Sequence, residues 1–493
     1  MTSSTADSRT AVTWLYVVLG AAAVVEYFEI TMMFTILPTL YDRFGDPASV
    51  GWAMTAFGLV GAVSVALGGR IGDVIGYRTV LIAALGSSAV GSFLSATASD
   101  LWQLIAGRGI QGFAAVILPV GLALMRSVFK DPQRVKFGTG IIAGIGYSIS
   151  GLAPLTAGVV LERWDWQAVF VLSGIMSLVV MGMAFTLPRE TVGSGKWSDI
   201  DFVGAIALIP AVVMILLSLT NLASWGILDP KTLILIAAGL VGLWAWYRYE
   251  KRVDKPVIDP ALLREKSYRV SLVSFGLFAM TLGNVVALSV VAQNPVGAGG
   301  FGMSPSLYGL FMLLMVAIGT SMNVTGGWMA SRIGCRNTLA LGALAQGLGY
   351  LLVVLVLLGV ETRSLWVFPL FFVAGLGNGV INTVLPAFVA ESVPMDKTAM
   401  ALSAQQVIKQ GAQAGGQQIA ASLLVAFPMV TIMTKGTEES FPSLDAVTLV
   451  YTFVTIASFL IVPVALRAPR MKSPGSEPSP PADDSRATAV GAG

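Results

Sequence analysis

Fourteen apolar runs, each long enough to cross a bilayer as a helix, fill almost all of this chain. Their cores lie near 14–40, 50–68, 79–98, 101–125, 137–161, 167–187, 202–222, 231–248, 270–292, 306–328, 338–360, 365–390, 400–427 and 446–467. About 20 residues of helix cross the hydrocarbon layer. Only helices and closed barrels satisfy their backbone there, and these runs are too long and too apolar for barrel strands. With 55% hydrophobic and 12% charged residues in 493, and only short polar breaks, the chain reads as one polytopic, all-α membrane domain of 14 transmembrane helices.

Positive residues set the orientation. The N-terminal tail, the even-numbered breaks and the C-terminal tail hold 23 of the 30 Lys and Arg, and the odd-numbered breaks hold 5. That bias places both termini in the cytoplasm of a multi-pass protein of the cell membrane. The richest break, Arg248 to Arg269, carries seven. The first apolar run is long enough to span, so it reads as a helix rather than a cleavable leader. The segment from Met471 onward is rich in Pro, Ser, Gly and Ala and is expected to be disordered.

Composition also narrows the chemistry. One cysteine, Cys335, permits no internal disulfide, and there is no histidine. Histidine relays are excluded and a conventional metal site is not expected. No phosphate-binding loop ending in GK[ST] occurs. No cofactor is expected, and the net charge of +3 gives no reason to expect a nucleic-acid partner. Proton chemistry has to run on carboxyl groups.

Two of these, Glu26 and Glu29, lie in the first apolar run. Charge at the centre of a bilayer costs roughly 2.5–3.5 kcal/mol on insertion scales, so such groups mark ion, proton or substrate paths by default. Desolvation favours the neutral form of a carboxyl and a nearby cation favours the charged form. A carboxyl subject to both can exchange a proton for a cationic ligand.

A weak internal repeat divides the chain. Gly69-Arg-Ile-Gly-Asp-Val-Ile-Gly-Tyr-Arg78 follows span two, and Gly327-Trp-Met-Ala-Ser-Arg-Ile-Gly-Cys-Arg336 follows span ten. Both carry glycine at places one and eight and arginine at ten. Two similar six-span halves with an extra pair between them would give this pattern.

The first copy resembles the cytoplasmic signature of the major facilitator superfamily at Gly69, Ile71, Gly72, Asp73, Gly76 and Arg78, with Val74 where a basic residue is usual. Glu29-Ile-Thr-Met-Met-Phe-Thr-Ile-Leu-Pro38 is similar to the first-span motif of its fourteen-span drug:proton antiporters, which commonly carry aspartate where Glu29 stands. Arg108-Gly-Ile-Gln111-Gly112 resembles the span-four motif linked to proton coupling. Gly151-Leu-Ala-Pro154-Leu-Thr-Ala-Gly158 is similar to the antiporter motif of span five. The resemblance implies two six-helix bundles, at 14–190 and 270–467, and an inserted helix pair at 200–250. A cytoplasmic loop at 251–269 and tails at 1–13 and 468–493 complete the division. It also implies alternating access and proton-driven export of amphipathic, cationic drug-like compounds, of the multidrug and quaternary-ammonium type tied to antibiotic resistance. The protein is expected to act as a monomer in the lipid bilayer and not as an enzyme.

Individual residues admit more than one role. Glu29, nine residues before Pro38, sits about 14 Å below that end of the span, and Arg108 about 10 Å into span four. They are candidates for the coupling pair, or for a static pair holding helices together. Glu26 reads as a second proton stop, a substrate contact, or a protonated carboxyl bonded to a neighbour. Asp73, near the start of span three, and Arg78 fit a gate, or an ordinary polar loop. Gly151, Pro154 and Gly158 fit a thin, bent, tightly packed helix. Lys409 either faces a cavity or snorkels to the cytoplasmic end. Asn378 and Asn382, one turn apart, line a cavity or bond between helices. Met32, Met33 and Phe34 suit a loose pocket or a core, and Trp164 and Trp166 suit interface anchors. Export of an endogenous metabolite and proton symport stay open as rival activities, and so does a membrane sensor without transport.

Overall fold

The computed structural model describes residues 9–128, 132–188, 195–226, 228–253, 256, 262–359, 367–394, 397–434 and 437–469. The segment from Met471 onward, expected to be disordered, lies outside the described residues.

Short polar breaks place an acid or hydroxyl just ahead of many helices. Asp46, Asp100, Asp165, Asp201, Asp229, Ser304 and Ser443 each accept a hydrogen bond from a first-turn amide of the helix that follows. The helices are α1 (Arg9–Phe44), α2 (Pro47–Ile75), α3 (Tyr77–Ala96), α4 (Leu101–Gln111), α5 (Ile117–Val128), α6 (Pro132–Arg163) and α7 (Trp166–Ala184). Next come α8 (Phe202–Thr220), α9 (Leu222–Trp225) and α10 (Pro230–Glu250). The chain ends with α11 (Lys266–Thr281), α12 (Asn284–Gln293), α13 (Pro305–Ile333), α14 (Cys335–Gly359), α15 (Val367–Glu391), α16 (Thr398–Leu423) and α17 (Leu444–Leu466).

Twelve spans among the described residues are long and apolar enough to cross a membrane. This differs from the expected fourteen. Both α6 and α16 are long helices outside that number, and α16 carries Lys409 and six glutamines, which lower its hydropathy. The architecture is also not purely helical. An antiparallel hairpin, β1 (Val430–Thr434) with β2 (Thr437–Phe441), fills the last break, pairing Val430 with Phe441.

Two spans are interrupted. A 3-10 turn at Gly112–Val116 separates α4 from α5, and Leu282–Gly283 separates α11 from α12. A Cβ on Gly112 would sit 2.6 Å from the Phe57 carbonyl oxygen, so glycine lets α2 cross the turn closely. Helix α1, by contrast, runs through Pro38 to Phe44. Glu29 is therefore about 22 Å from that helix end by the 1.5 Å rise, deeper than Pro38 alone implies.

Helices α1–α7 meet α11–α17 at the end remote from the chain termini. Gln418 of α16 donates to the Ala48 carbonyl (2.9 Å) and accepts from Thr55 (2.9 Å), both on α2. Ser289 of α12 donates to the Phe34 carbonyl of α1. Glu162 of α6 accepts the Ser306 amide (2.9 Å) in the first turn of α13, where helix polarity favours an anion. Gly158 lies against the Pro305 backbone, and Gly309 against Pro154 and Leu155. Close approach of backbones through small residues is the usual route to tight helix contact without water.

The pair α8 and α10 pack on each other, and α8 lies across α2 and α16. Gln418 also donates to Thr220 at the end of α8 (2.8 Å). Trp246 of α10 donates to the Gly204 carbonyl of α8 (2.7 Å). Among the described residues no helix covers the opposite seam, α6 against α13, and Leu152, Leu310 and Leu314 are exposed on it.

Gly76 and Gly334 end α2 and α13 with φ of +93° and +80°, a region that side chains disfavour. Strain of this kind costs of order 1–3 kcal/mol. Gly76→Ala and Gly334→Ala are each expected to lose about that much in chemical unfolding of the purified protein. Gly69→Ala, with open space around the added carbon, is expected to stay within about 0.5 kcal/mol. Equal stability of all three would remove the strained-turn reading.

Candidate functional site

Glu29 is fully buried among α3, α4 and α7. Its Oε1 accepts from Ser88 (2.5 Å), from Nε2 of Gln111 (3.2 Å), and from Ser173 and Ser92 at 3.3 and 3.4 Å. Arg108, 1% exposed, does not reach this carboxylate. Its Nη1 donates instead to the main-chain carbonyl of Glu29 (3.2 Å) and to Oε1 of Gln111 (2.8 Å). The guanidinium carbon lies 4.4 Å from the centre of the Phe57 ring, a cation–π distance. Gln111 is thus the link: it accepts from the arginine and donates to the carboxylate, and its amide also donates to Ser92 (2.6 Å). Oε2 of Glu29 and Nε of Arg108 have no hydrogen-bond partner among the described residues.

Glu26 occupies different surroundings. Its Oε2 accepts the amide of Leu118 (2.9 Å) at the start of α5. The break in span four supplies that free amide, and the helix start favours a negative group. Glu26 lines an open cavity with about 1200 Å³ of empty space, part of it continuous with solvent, whereas Glu29 does not line it.

The cavity lies on the terminal side of the closed end. Tyr27, Thr31 and Phe34 line it from α1, and Ser150 from α6. Opposite them stand Asn378 and Asn382 of α15 and Gln406, Lys409, Gln410 and Gln413 of α16. Lys409 therefore faces the cavity and does not snorkel. A side pocket of about 330 Å³ reaches Arg108 and shares Ile30, Phe34, Gln410 and Gln413 with the main cavity.

Of the apolar trio on α1, Phe34 lines the cavity while Met32 and Met33 are core. Trp164 is exposed, but Trp166 is not an interface anchor: it is buried edge-on between Phe44 and Phe170. Gly151, Pro154 and Gly158 face α13, with Gly151 against Leu313 and Val316, and the Pro154 carbonyl accepts from Thr35 (3.1 Å).

The Gly69–Arg78 segment differs in detail from its expected form. Asp73 is in the last turn of α2, not at the start of span three, because α2 runs on to Ile75. It caps nothing: Gly76 precedes α3 without a side-chain cap, and the Asp73 carboxylate accepts from the Tyr77 hydroxyl. Arg78 donates to the carbonyls of Ala184 (3.2 Å), which also accepts the Leu187 amide, and Phe185 at the end of α7.

Ser88, Ser92, Ser173 and Ser177 were not singled out from the sequence. A signal existed, since Ser88, Ser92 and Ser95 repeat at i, i+4 and i+7 along α3.

Residues 19–417 match the family model described as Major Facilitator Superfamily. The chain belongs to the major facilitator superfamily. It is similar to the multidrug transporter protein MdtP of Bacillus subtilis (strain 168), 24% identical over 390 residues, 77% of this chain and 69% of that protein. It is also similar to a triacylglyceride transporter of Mycolicibacterium smegmatis, 28% identical over 418 residues, 80% of this chain and 71% of the relative. In fold it resembles a crystal structure of the peptide transporter POT in complex with sulfate, with a TM-score of 0.67, 18% identity, and 92% and 93% of the two chains covered. This member of the superfamily is a multi-pass membrane transporter of small molecules and not an enzyme.

Within this superfamily member, Gln111→Leu strips a donor from both Glu29 and Ser92 and an acceptor from Arg108. Leaving buried polar groups unsatisfied costs about 1–3 kcal/mol. Gln111→Leu is expected to lower unfolding stability by that amount. Glu29→Gln, whose amide oxygen still accepts from Ser88, is expected to lose less. Chemical denaturation in detergent compares them, and a Gln111→Leu loss under about 0.5 kcal/mol would show that the link is not structural.

Proposed function

We propose that this protein is a proton-coupled antiporter that exports amphipathic, cationic drug-like compounds across the cell membrane, with both termini cytoplasmic. The observation that carries the reading is the division of labour between two acids on α1. Glu29 is sealed among hydroxyls and an amide, while Glu26, one turn away, opens on the cavity. In this reading the protein has fourteen spans. Helices α1–α7 and α11–α17 form two bundles of six, and α8 and α10 are the inserted pair. The protein works as a monomer.

Glu29 carries the coupling proton. When ionised, its charge is spread into donors from Ser88 and Gln111, and Arg108 supplies a positive charge nearby through Gln111. When protonated, it removes a charge from the interior of the first bundle and loosens the demand on that arrangement. Glu26 receives the cationic centre of the substrate, and the aromatic and amide walls receive the rest. Contacts at the end remote from the termini correspond to the outward gate, so the cavity described here belongs to the inward-facing state. The seam of Gly151, Pro154 and Gly158 keeps that gate dry, and Gly69, Asp73, Gly76 and Arg78 tie span two to spans three and six on the cytoplasmic side. Inward proton movement supplies roughly 2.3 kcal/mol per charge per 100 mV. The relatives' names, which include a multidrug transporter, favour export of drug-like compounds.

The test is proton release from inverted membrane vesicles on addition of amphipathic cationic dyes. Wild type is expected to exchange protons for dye, Glu29→Gln to abolish the exchange, and Glu26→Gln to weaken dye binding with the proton step intact. Undiminished exchange by Glu29→Gln would move the coupling role elsewhere. No exchange by wild type across a broad dye panel would remove the drug-export reading.

A further inference from the structure

The cavity presents two charged side chains among its described lining, and they come from opposite sides. Glu26 projects from α1 and Lys409 from α16. Among the described residues, Glu26 is anchored by the Leu118 amide at one oxygen only. Lys409 makes no hydrogen bond among the described residues, and Glu26 shares the cavity with it. Asn378, Asn382, Gln406 and Gln410 also make no hydrogen bond with the protein among the described residues, although carboxamides at membrane depth need partners. This wall is therefore unfilled at both charges and at the amides between them.

Resting on the export reading above, we propose that the transported molecule is bipolar. It carries a cationic amine that docks at Glu26 and, on the same amphipathic body, an anionic group that docks at Lys409. A cation alone meets Glu26 and leaves the Lys409 ammonium, which lines the same cavity, without a contacting anion, which is costly at low dielectric. A zwitterion meets both charges at once. The amides then supply hydrogen bonds to the polar link between its charges, and Tyr27 and Phe34 face its apolar part.

The test uses the full-length protein in lipid nanodiscs and three matched naphthyl amphiphiles: an amino acid zwitterion, its methyl ester (cation only) and its N-acetyl acid (anion only). Calorimetry is expected to show the zwitterion binding at least about tenfold more tightly than either of the others. Lys409→Met is expected to erase that preference while sparing the ester, and Lys409→Arg to keep it. Equal binding of zwitterion and ester by wild type would overturn the proposal. So would no zwitterion binding, or an unaltered preference in Lys409→Met. If Lys409→Met does not purify as a folded monodisperse protein, the wild-type and Lys409→Arg comparisons decide. Proton release in inverted vesicles separates the two readings. Zwitterion preference without proton movement removes antiport and leaves the bipolar site. Cation-driven proton release without zwitterion preference removes the bipolar site alone.

Discussion

The fixed constraint on this molecule is the burial of Glu29 and Arg108 at membrane depth. Neither can be left bare, so three helices have to bring polar groups to them. The small hydroxyls of Ser88, Ser92 and Ser173 do this without adding bulk, which lets α3 and α7 pack closely around α1. Gln111 completes the arrangement because an amide is both donor and acceptor. A direct carboxylate–guanidinium contact would bind the two groups strongly and commit both carboxylate oxygens. An intervening amide keeps the arginine's field while leaving one carboxylate oxygen uncommitted.

The same economy appears where the chain breaks its own helices. The 3-10 turn in span four costs regular hydrogen bonds, yet it supplies the Leu118 amide that holds Glu26. Gly112 at that turn lets α2 pass close by, and α2 in turn carries Phe57 beneath the arginine. In span four, backbone irregularity and charge burial are thus one feature: the departure from an ideal helix sits beside Glu26, which takes the amide it frees.

Much of this was legible in the residues. Apolar runs located nearly every span, and Gly76 and Gly334, matched by the repeat, share the same left-handed turn. Glu29 and Arg108 lie near one another as their depths suggest, but Gln111 stands between the guanidinium and the carboxylate. Other features were hidden for physical reasons. Asp73 was misplaced because helix ends depend on packing as well as on composition, and α2 continues through a glycine-rich stretch. Lys409 was ambiguous because a polar span looks alike whether it lines a cavity or approaches an interface. Trp166 was misread because an aromatic beside a charged break resembles an anchor, while Phe44 and Phe170 enclose it. The hairpin escaped notice because its strands, Val430–Thr434 and Thr437–Phe441, are short and lie in a break between spans.

The two lateral seams between the groups of helices differ. On one, α8 lies across α2 and α16, and the crevice it forms is lined by Leu59, Ala62, Leu208 and Val407 without a polar group. On the other, α6 meets α13 directly through glycine and backbone. A molecule dissolved in one leaflet would thus meet a greasy, shielded approach on the first flank and a bare, interlocked ridge on the second. The pair α8 and α10 thus gives the two flanks different faces toward the surrounding lipid.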